Sequence, residues 1–346
     1  MQTQTNLGLV NHDRSTKTQN FIIITSIYPP TKAVRDFAKR EDHQLVVVGD
    51  RKTPQDWQWE GTSFLSVDRQ SELDSQLFEL LPYNHYGRKN LGYIYAMQQG
   101  AKIIIDTDDD NIPKQDWHFP SFAGNYRTTP QDLGYINIYQ LFTEQHIWPR
   151  GFPLDLINHK FNDIQERSLP AEVKVGVWQG LADGDPDVDA IYRLVSNTPC
   201  FFEDRQPVVL SQGTLCPFNS QNTAFIKELF PLLYLPCFVT FRYTDILRGL
   251  IAQPIIWAAG YSLGFTKATV VQERNPHDYM KDFESEIPCF MHPYKVAEIV
   301  QDSVRDSYSV SDNLYQAYSA LEKANIVTDR EMKLVSLWLE DIQQYS

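Results

Sequence analysis

Several absences narrow the reading of this chain. Its four cysteines (Cys200, Cys216, Cys237, Cys289) contain no C-x-x-C spacing. A thiolate zinc site is therefore not expected, and free thiols in a reducing compartment are the simple reading. Basic residues are scarce: 31 Lys and Arg stand against 44 Asp and Glu, a formal net charge of −13. Duplex nucleic acid needs a basic surface, so no nucleic-acid partner is expected. A phosphate-bearing small ligand stays open, because backbone amides and local cations can hold one. Long apolar runs are also missing. The longest, Leu229 to Phe241, is broken by Pro231 and Pro236 and falls short of the roughly 20 residues that span a bilayer. No basic-then-apolar leader opens the chain. The expectation is a soluble, cytoplasmic protein with no transmembrane segment, no internal repeat and no low-complexity tract.

What is present is an ordinary globular composition, 42% hydrophobic over 346 residues, enough for one large core or two fused subdomains. Residues 1–19 are polar and aperiodic and read as a mobile tail. Phe21 to Ile27 then forms a β-branched run closed by Pro29 and Pro30, a buried strand. A helix fits Lys32 to Arg40, a second strand Leu45 to Val48, and a third Ser63 to Ser66. Residues 88–100 read as a helix stopped at Gly100, and Lys102 to Ile105 as a fourth strand. Strands alternating with helices indicate a parallel α/β sheet, whose ligands bind at the carboxyl ends of the strands. Thr25, Asp50 and Asp106 all fall at such ends. Residues 112–215 read as irregular with long loops. Helices are expected to resume from Asn222, with Tyr243 to Ala259 helical despite Pro254 and a helical region over 293–345.

The run Asp106-Thr107-Asp108-Asp109-Asp110 is the most informative feature. Four carboxylates in five positions repel one another unless a cation neutralises them. Hard divalent cations such as Mn²⁺ or Mg²⁺ take oxygen ligands and bridge carboxylates to substrate phosphates. A solvated acidic turn or a calcium loop is the alternative, although the full EF-hand spacing is absent. Arg88 and Lys89 open a helix and can hold a diphosphate there, or be solvated first-turn charges. Asp50 can accept from a nucleobase or ribose, or form the turn before Arg51. The second acidic loop, Gly184 to Asp189, can line an acceptor pocket or make turns. Asp245 can cap the helix that follows it or act as a general base; capping is the simpler reading from the residues alone. His277 can complete a metal shell or sit on a surface loop.

The motifs Gly49 to Trp57, Tyr86 to Tyr93, Asp106 to Asp109, Trp148 to Leu154, Gly184 to Asp189, Pro217 to Thr223 and Asp245 to Gly249 resemble, in order, the STELLO family of probable glycosyltransferases. The likeness covers about residues 20–280. A looser likeness runs to the reversibly glycosylated polypeptides, sugar-nucleotide mutases with an Asp-Asp-Asp motif. The first resemblance implies a GT-A-like fold, a Rossmann-type mixed sheet flanked by helices, over residues 20–290. Its nucleotide-sugar half would be 20–115, its acceptor half 116–290, and 291–346 a C-terminal helical extension. Asp106 and Asp108 would then bind donor ribose and metal, with Asp110 an alternative ligand and His277 reaching the metal. Thr25, Asp50, Arg88 and Lys89 would complete the donor side. Trp148, Arg150, Asp187, Asp189 and Asn219 would form the acceptor side. Asp245 looks like the base of inverting members, which reverses the capping preference.

The function so implied is metal-dependent transfer of a sugar from a nucleotide-diphosphate sugar to a glycan or other hydroxyl acceptor. Asp50 hints at uracil and thus a UDP-sugar. A mutase, a self-glycosylating protein and a non-catalytic scaffold on the same fold are the competing readings. A nucleotidyltransferase would need a Gly-rich loop where Thr25 to Pro30 stands. The plant STELLO proteins carry a Golgi anchor that has no counterpart in this sequence, and the C-terminal helices offer a surface for a homo-oligomer.

Overall fold

The computed structural model describes residues 18–274 and 277–345. The expected tail at 1–19 lies outside these residues except for its last two positions. Among the described residues twelve strands follow in order: β1 (Asn20–Thr25), β2 (Gln44–Val48), β3 (Thr62–Leu65), β4 (Ile103–Thr107), β5 (Asn111–Pro113), β6 (Ala123–Thr128), β7 (Gly134–Tyr135), β8 (Leu169–Gly184), β9 (Val208–Leu210), β10 (Thr214–Leu215), β11 (Asn222–Ile226) and β12 (Ser262–Gln272). Ten of them form one sheet in the order β3-β2-β1-β4-β11-β8-β6-β9-β12-β5, with β8 also paired to β12; β7 and β10 make a small pair of their own. The fold is mixed α/β with helices on its faces, consistent with the GT-A-like expectation.

The apolar runs explain the first four strands. In β1, Ile22 and Ile24 enter one core while Phe21 and Ile23 enter the other. In β2, Leu45 and Val47 divide from Val46 and Val48 in the same way. A parallel strand covered on both faces must be apolar at every position. The smaller core packs the helix Lys32–Phe37 and Trp117 against one face. The larger core takes the helix Lys89–Gln98 on the other. Gly92 lets that helix approach closely, since a Cβ there would press Ile23 and Val48.

Beyond β4 the structure departs from the sequence reading in several places. Residues 112–215, read as irregular, contain the 16-residue β8, and Asn222 opens a strand, not a helix. β8 (LPAEVKVGVWQGLADG) breaks the expected pattern with Pro170, Gly176 and Gly180. The two glycines are packing requirements, because Cβ atoms there would overlap Leu229 and Asn222. β11 runs antiparallel to both β4 and β8, which makes the sheet mixed, as the family resemblance implied and the strand–helix alternation alone did not. Two reversals return β8 to the direction of β4, and β12 is parallel to β8. The carboxyl ends of β1, β2, β4, β8 and β12 therefore share one edge of the sheet, together with the start of β11.

The helix Thr244–Ala258 begins at that edge and carries Pro254 within it. The C-terminal helices pack on the larger core through Leu314, Tyr318, Leu334 and Trp338. Glu331, fully buried, accepts from Tyr234 Oη and from the amides of Cys237 and Phe238, which ties the helix Asp329–Ile342 to that segment. Among the described residues no helix is long and apolar enough to cross a membrane.

Candidate active site at the carboxyl edge of the sheet

Two adjoining cavities open at this edge. The larger, about 260 Å³, is charged and is lined by Asp108, Asp109, Asp110, Asp187, Asp245 and three arginines, among others. The smaller, about 180 Å³, has aromatic and apolar walls that include Ile27, Tyr28, His85 and Phe241. Thr25, Tyr86, Asp109 and Phe241 border both.

The acidic run divides by depth. Asp106 is fully buried. Its two oxygens take Lys89 Nζ at 2.8 Å and Arg248 Nη1 at 2.6 Å. Burial would raise its pKa, but those two cations hold it below the usual carboxylate range. Asp106 thus lies beneath the cavities as a support. Lys89 also reaches Asp108 at 3.0 Å and the Thr107 carbonyl at 2.8 Å. It is fixed as a cation between the carboxylates instead of being free for a diphosphate, and despite burial those carboxylates push it up to about 12.

Asp108, Asp109 and Asp110 face the larger cavity. Asp108 keeps 39% of its side chain exposed. Loss of surrounding water and the nearby Asp110 and Asp106 push it up to about 6, against Lys89. Asp109 accepts from Ser26 Oγ at 2.5 Å; burial pushes it up to about 6, with the Ser26 bond opposing. Asp110 accepts from Gln272 at one oxygen, while the other is buried without a partner. Asp106 and Asp108 pair with Lys89 and Arg248, whereas Asp109 and Asp110 have no ion-pair partner among the described residues, a local deficit of paired positive charge.

Among the described residues, no three His, Cys, Asp or Glu side chains converge to cage a metal ion. A cation here would have at most two protein carboxylates, the arrangement in which phosphate and water oxygens fill the remaining positions. The orphaned Asp110 oxygen, the exposed Asp108 carboxylate and the charge deficit fit such an ion. His277 lines the same cavity, with its Nδ1 2.9 Å from Asp282.

The opposite wall is a buried ion-pair network. Arg150 forks between Asp187 and Asp245, with Nη2 at 2.8 and 2.9 Å. Asn219 donates to Asp187 at 2.8 Å. Burial would raise Asp187, yet Arg150 and then Arg242 hold it far below the ordinary carboxylate value. Asp245 also accepts from the amides of Ser220 and Ile246, and its own amide donates to Tyr86 Oη. It stands in the first turn of its helix, where it satisfies the Ile246 amide although Tyr243 holds the cap position, and it also lines the larger cavity.

Trp148 and Asp189 lie outside both cavities. The indole donates to Asp189 at 2.6 Å, and Asp189 caps the helix Ala190–Val195 through the Tyr192 amide. Both are placed to support the Asp187 loop. Asp50 and Arg88 border the smaller cavity. Arg242, Arg274, Gln272, Ser220, Tyr86 and His85 were not singled out by sequence and line the cavities as well. Arg274 and Gln272 come from the end of β12, a strand the sequence reading did not find.

Comparison with known proteins agrees with the motif reading. Residues 242–346 match the family model of STELLO glycosyltransferases. Along 95% of its length the chain is 27% identical to an Arabidopsis thaliana protein described as probable glycosyltransferase STELLO2, of which it covers 45%. It is equally similar, over 94% of its length, to the same plant's STELLO1, covering 44% of that protein. The chain therefore spans less than half the length of these curated relatives. Along nearly all of its own length the chain is thus similar to the probable glycosyltransferases STELLO1 and STELLO2, and its last third matches the family model.

Proposed function

We propose that the protein is a glycosyltransferase that moves a sugar from a nucleotide-diphosphate sugar to a hydroxyl acceptor. The observation that carries the reading is the pair of adjoining cavities, one aromatic and one charged, sharing Thr25, Tyr86, Asp109 and Phe241. A nucleotide sugar has that polarity along its length: a flat base, then a diphosphate, then the sugar. In this reading the base enters the smaller cavity and the diphosphate lies beside Asp108 and Asp110. A divalent cation, Mn²⁺ or Mg²⁺, held by those two carboxylates would stabilise the charge on the departing diphosphate.

Asp245 is the proposed base. It takes the acceptor proton as the acceptor oxygen bonds to the anomeric carbon and the carbon–diphosphate bond breaks, with inversion. Arg150 orients the carboxylate, and one of its contacts must lengthen as the proton arrives. General bases contribute about 10²–10⁴-fold. Asp245→Asn is thus expected to lose at least about 100-fold in turnover while binding donor within threefold of the parent, measured by product formation and calorimetry. Wild-type turnover in this variant would remove Asp245 from the base role. The occupied oxygens of Asp245 favour one second reading, a protein that binds nucleotide sugar without turning it over. Tight donor binding with no transfer or hydrolysis by the parent would support that reading.

Asp108, which would hold the cation, and its neighbour Asp109 are both pushed up to about 6, and Asp110 is raised as well, which gives this cation site a pH signature. A free aspartate titrates near 4. Between pH 4 and 6 these two carboxyls of the folded metal-free protein therefore hold protons that they have lost in the unfolded chain, and their contribution to stability falls as pH rises through this window. Asp189, also pushed up to about 6, adds to that fall, and His85, pushed down to about 4, opposes it. A cation replaces the proton of Asp108, so Mn²⁺ affinity is expected to rise about tenfold from pH 5 to 7.5 with proton release. Calorimetry in two buffers of different ionisation enthalpy measures that release. A pH-independent affinity would be inconsistent with a site on these carboxylates.

A further inference from the structure

The three arginines that line the larger cavity are committed to very different degrees. Arg150 spends its guanidinium on Asp187, Asp245 and the Arg242 carbonyl. Arg274, just past the end of β12, does the opposite. Its side chain is only 6% exposed, yet it donates no hydrogen bond to any described residue. Its Nε stands 3.0 Å from Asp185 but is buried without a hydrogen bond, and its Nη2 is 4.0 Å from Asp187 Oδ1, too far for one. Burial, and then the charges of Arg193 and Arg242, lower its pKa against Asp185 and Asp187. A desolvated guanidinium with unspent N–H groups is costly unless an anion meets it.

Arg242 stands beside it. Its Nε and Nη2 hold the buried Glu286, which leaves Nη1 without a bond among the described residues. Arg242 Nη2 at 3.8 Å and Arg274 Nη2 at 4.0 Å approach the same oxygen, Asp187 Oδ1. That oxygen already accepts from Arg150 Nε at 2.9 Å, and Oδ2 accepts from Arg150 Nη2 and Asn219. Asp187 is thus engaged elsewhere, and two guanidiniums converge on the cavity with N–H groups to spare. Their place is away from the nucleobase. Both line the larger cavity alone and take no part in the border that it shares with the smaller one. Arg274 also lies two residues beyond Gln272, which bonds Asp110. That spacing is about 7 Å along an extended chain and puts the pair on the sugar side of the proposed cation.

We propose that Arg274 and Arg242 clamp a carboxylate carried by one of the two sugars, so that the substrate class includes a sugar acid such as a uronic acid; the inference deepens the donor-site reading above and rests on it. The guanidinium fork matches a carboxylate edge to edge. A neutral sugar would offer only hydroxyls and leave the Arg274 charge unpaired in its buried site. The carboxylate can belong to the donor sugar or to the acceptor, since both meet in this cavity, and the two sources are separable by experiment.

Calorimetry with Mn²⁺ on the parent and on Arg274→Gln, which stays polar but loses the charge, tests this. One arm titrates UDP, UDP-glucose and UDP-glucuronate. The other titrates methyl glucuronide and methyl glucoside into protein saturated with UDP. The parent is expected to bind the acid at least about tenfold more tightly than its neutral counterpart, the worth of one charge-assisted bond. The preference appears in the first arm if the donor carries the carboxylate and in the second if the acceptor does. Arg274→Gln is expected to erase it and to change UDP less than threefold. If UDP binds the parent but neither acid is preferred, or if the variant keeps the preference, the carboxylate assignment is wrong while the donor-site reading stands. If the variant weakens UDP itself tenfold, the arginines serve the diphosphate and the proposal is likewise overturned. Should UDP fail to bind, both readings fall. A variant that does not fold is bypassed with the parent labelled with ¹⁵N-arginine. Guanidinium signals should shift with the acid and stay still with its neutral counterpart; equal responses to the two would overturn the proposal.

Discussion

Asp108→Ala is expected to lose binding of nucleoside diphosphate with Mn²⁺ by more than about 100-fold. Removing an outer partner of a metal ligand typically costs 10–100-fold in affinity, and a ligand itself should cost more. The thermal consequence is measurable. Ligand at a hundredfold excess over its dissociation constant stabilises the folded state by about 2.7 kcal/mol, whereas at a concentration equal to the constant it adds only about 0.4 kcal/mol. The same Mn²⁺ and UDP that raise the parent's Tm should therefore barely move the variant. The metal-free variant should fold as well as the parent at pH 7.5. It lacks a carboxylate repelled by Asp110 and Asp106, and Lys89 keeps Asp106 and the Thr107 carbonyl. Parent-like binding in Asp108→Ala would end the assignment of the cation to this carboxylate.

Arg150→Ala should act on the fold itself. Asp187 and Asp245 are 4% and 5% exposed, and Arg150 is the fork between them. Deleting one partner of a buried pair costs about 3–5 kcal/mol, because the remaining charge is left desolvated. At roughly 2 °C per kcal/mol for a large domain, Tm should fall by about 5–10 °C. The loss has a pH dependence of defined sign. Asp187, depressed in the parent, contributes stability above the unfolded value near 4 and gives it up as pH falls through its lower folded value. The gap between variant and parent should thus be full at pH 7 and shrink toward pH 3, where unpaired carboxylates take up protons. A lysine would not restore the fork, since it cannot pair bidentately with two acids. A Tm within 2 °C of the parent at pH 7 would mean that the network does not stabilise this wall.

The first half of this edge was legible in the sequence because its strands are short, apolar and bounded by turn residues. Phe21, Leu45 and Ile103 announce strands, and Thr25, Asp50 and Asp108 follow from where those strands end. The other wall was not. β8 carries glycines for packing reasons that only its neighbours Leu229 and Asn222 reveal, and without β8 and β12 nothing places Arg274 or Gln272 at the edge. Polar roles were also opaque. Lys89 and Arg88 are adjacent in sequence and read alike, yet one is spent on Asp106 and Asp108 and the other borders the smaller cavity. Asp187 and Asp189, two residues apart, divide between the cavity wall and a helix cap. Burial and partner choice separate such pairs, and neither is a property of local spacing.

The antiparallel insertion of β11 between β4 and β8 bears on how such a chain can be cut or recombined. β4 pairs with β1 on one side and through five residues with β11 on the other. A fragment ending near residue 115 would bare that whole edge, an unpaired strand in the middle of an apolar face and a template for aggregation. The stretch that supplies β11 lies more than a hundred residues downstream. The two walls of the site are thus inseparable as fragments: neither half keeps its sheet edge covered without the other.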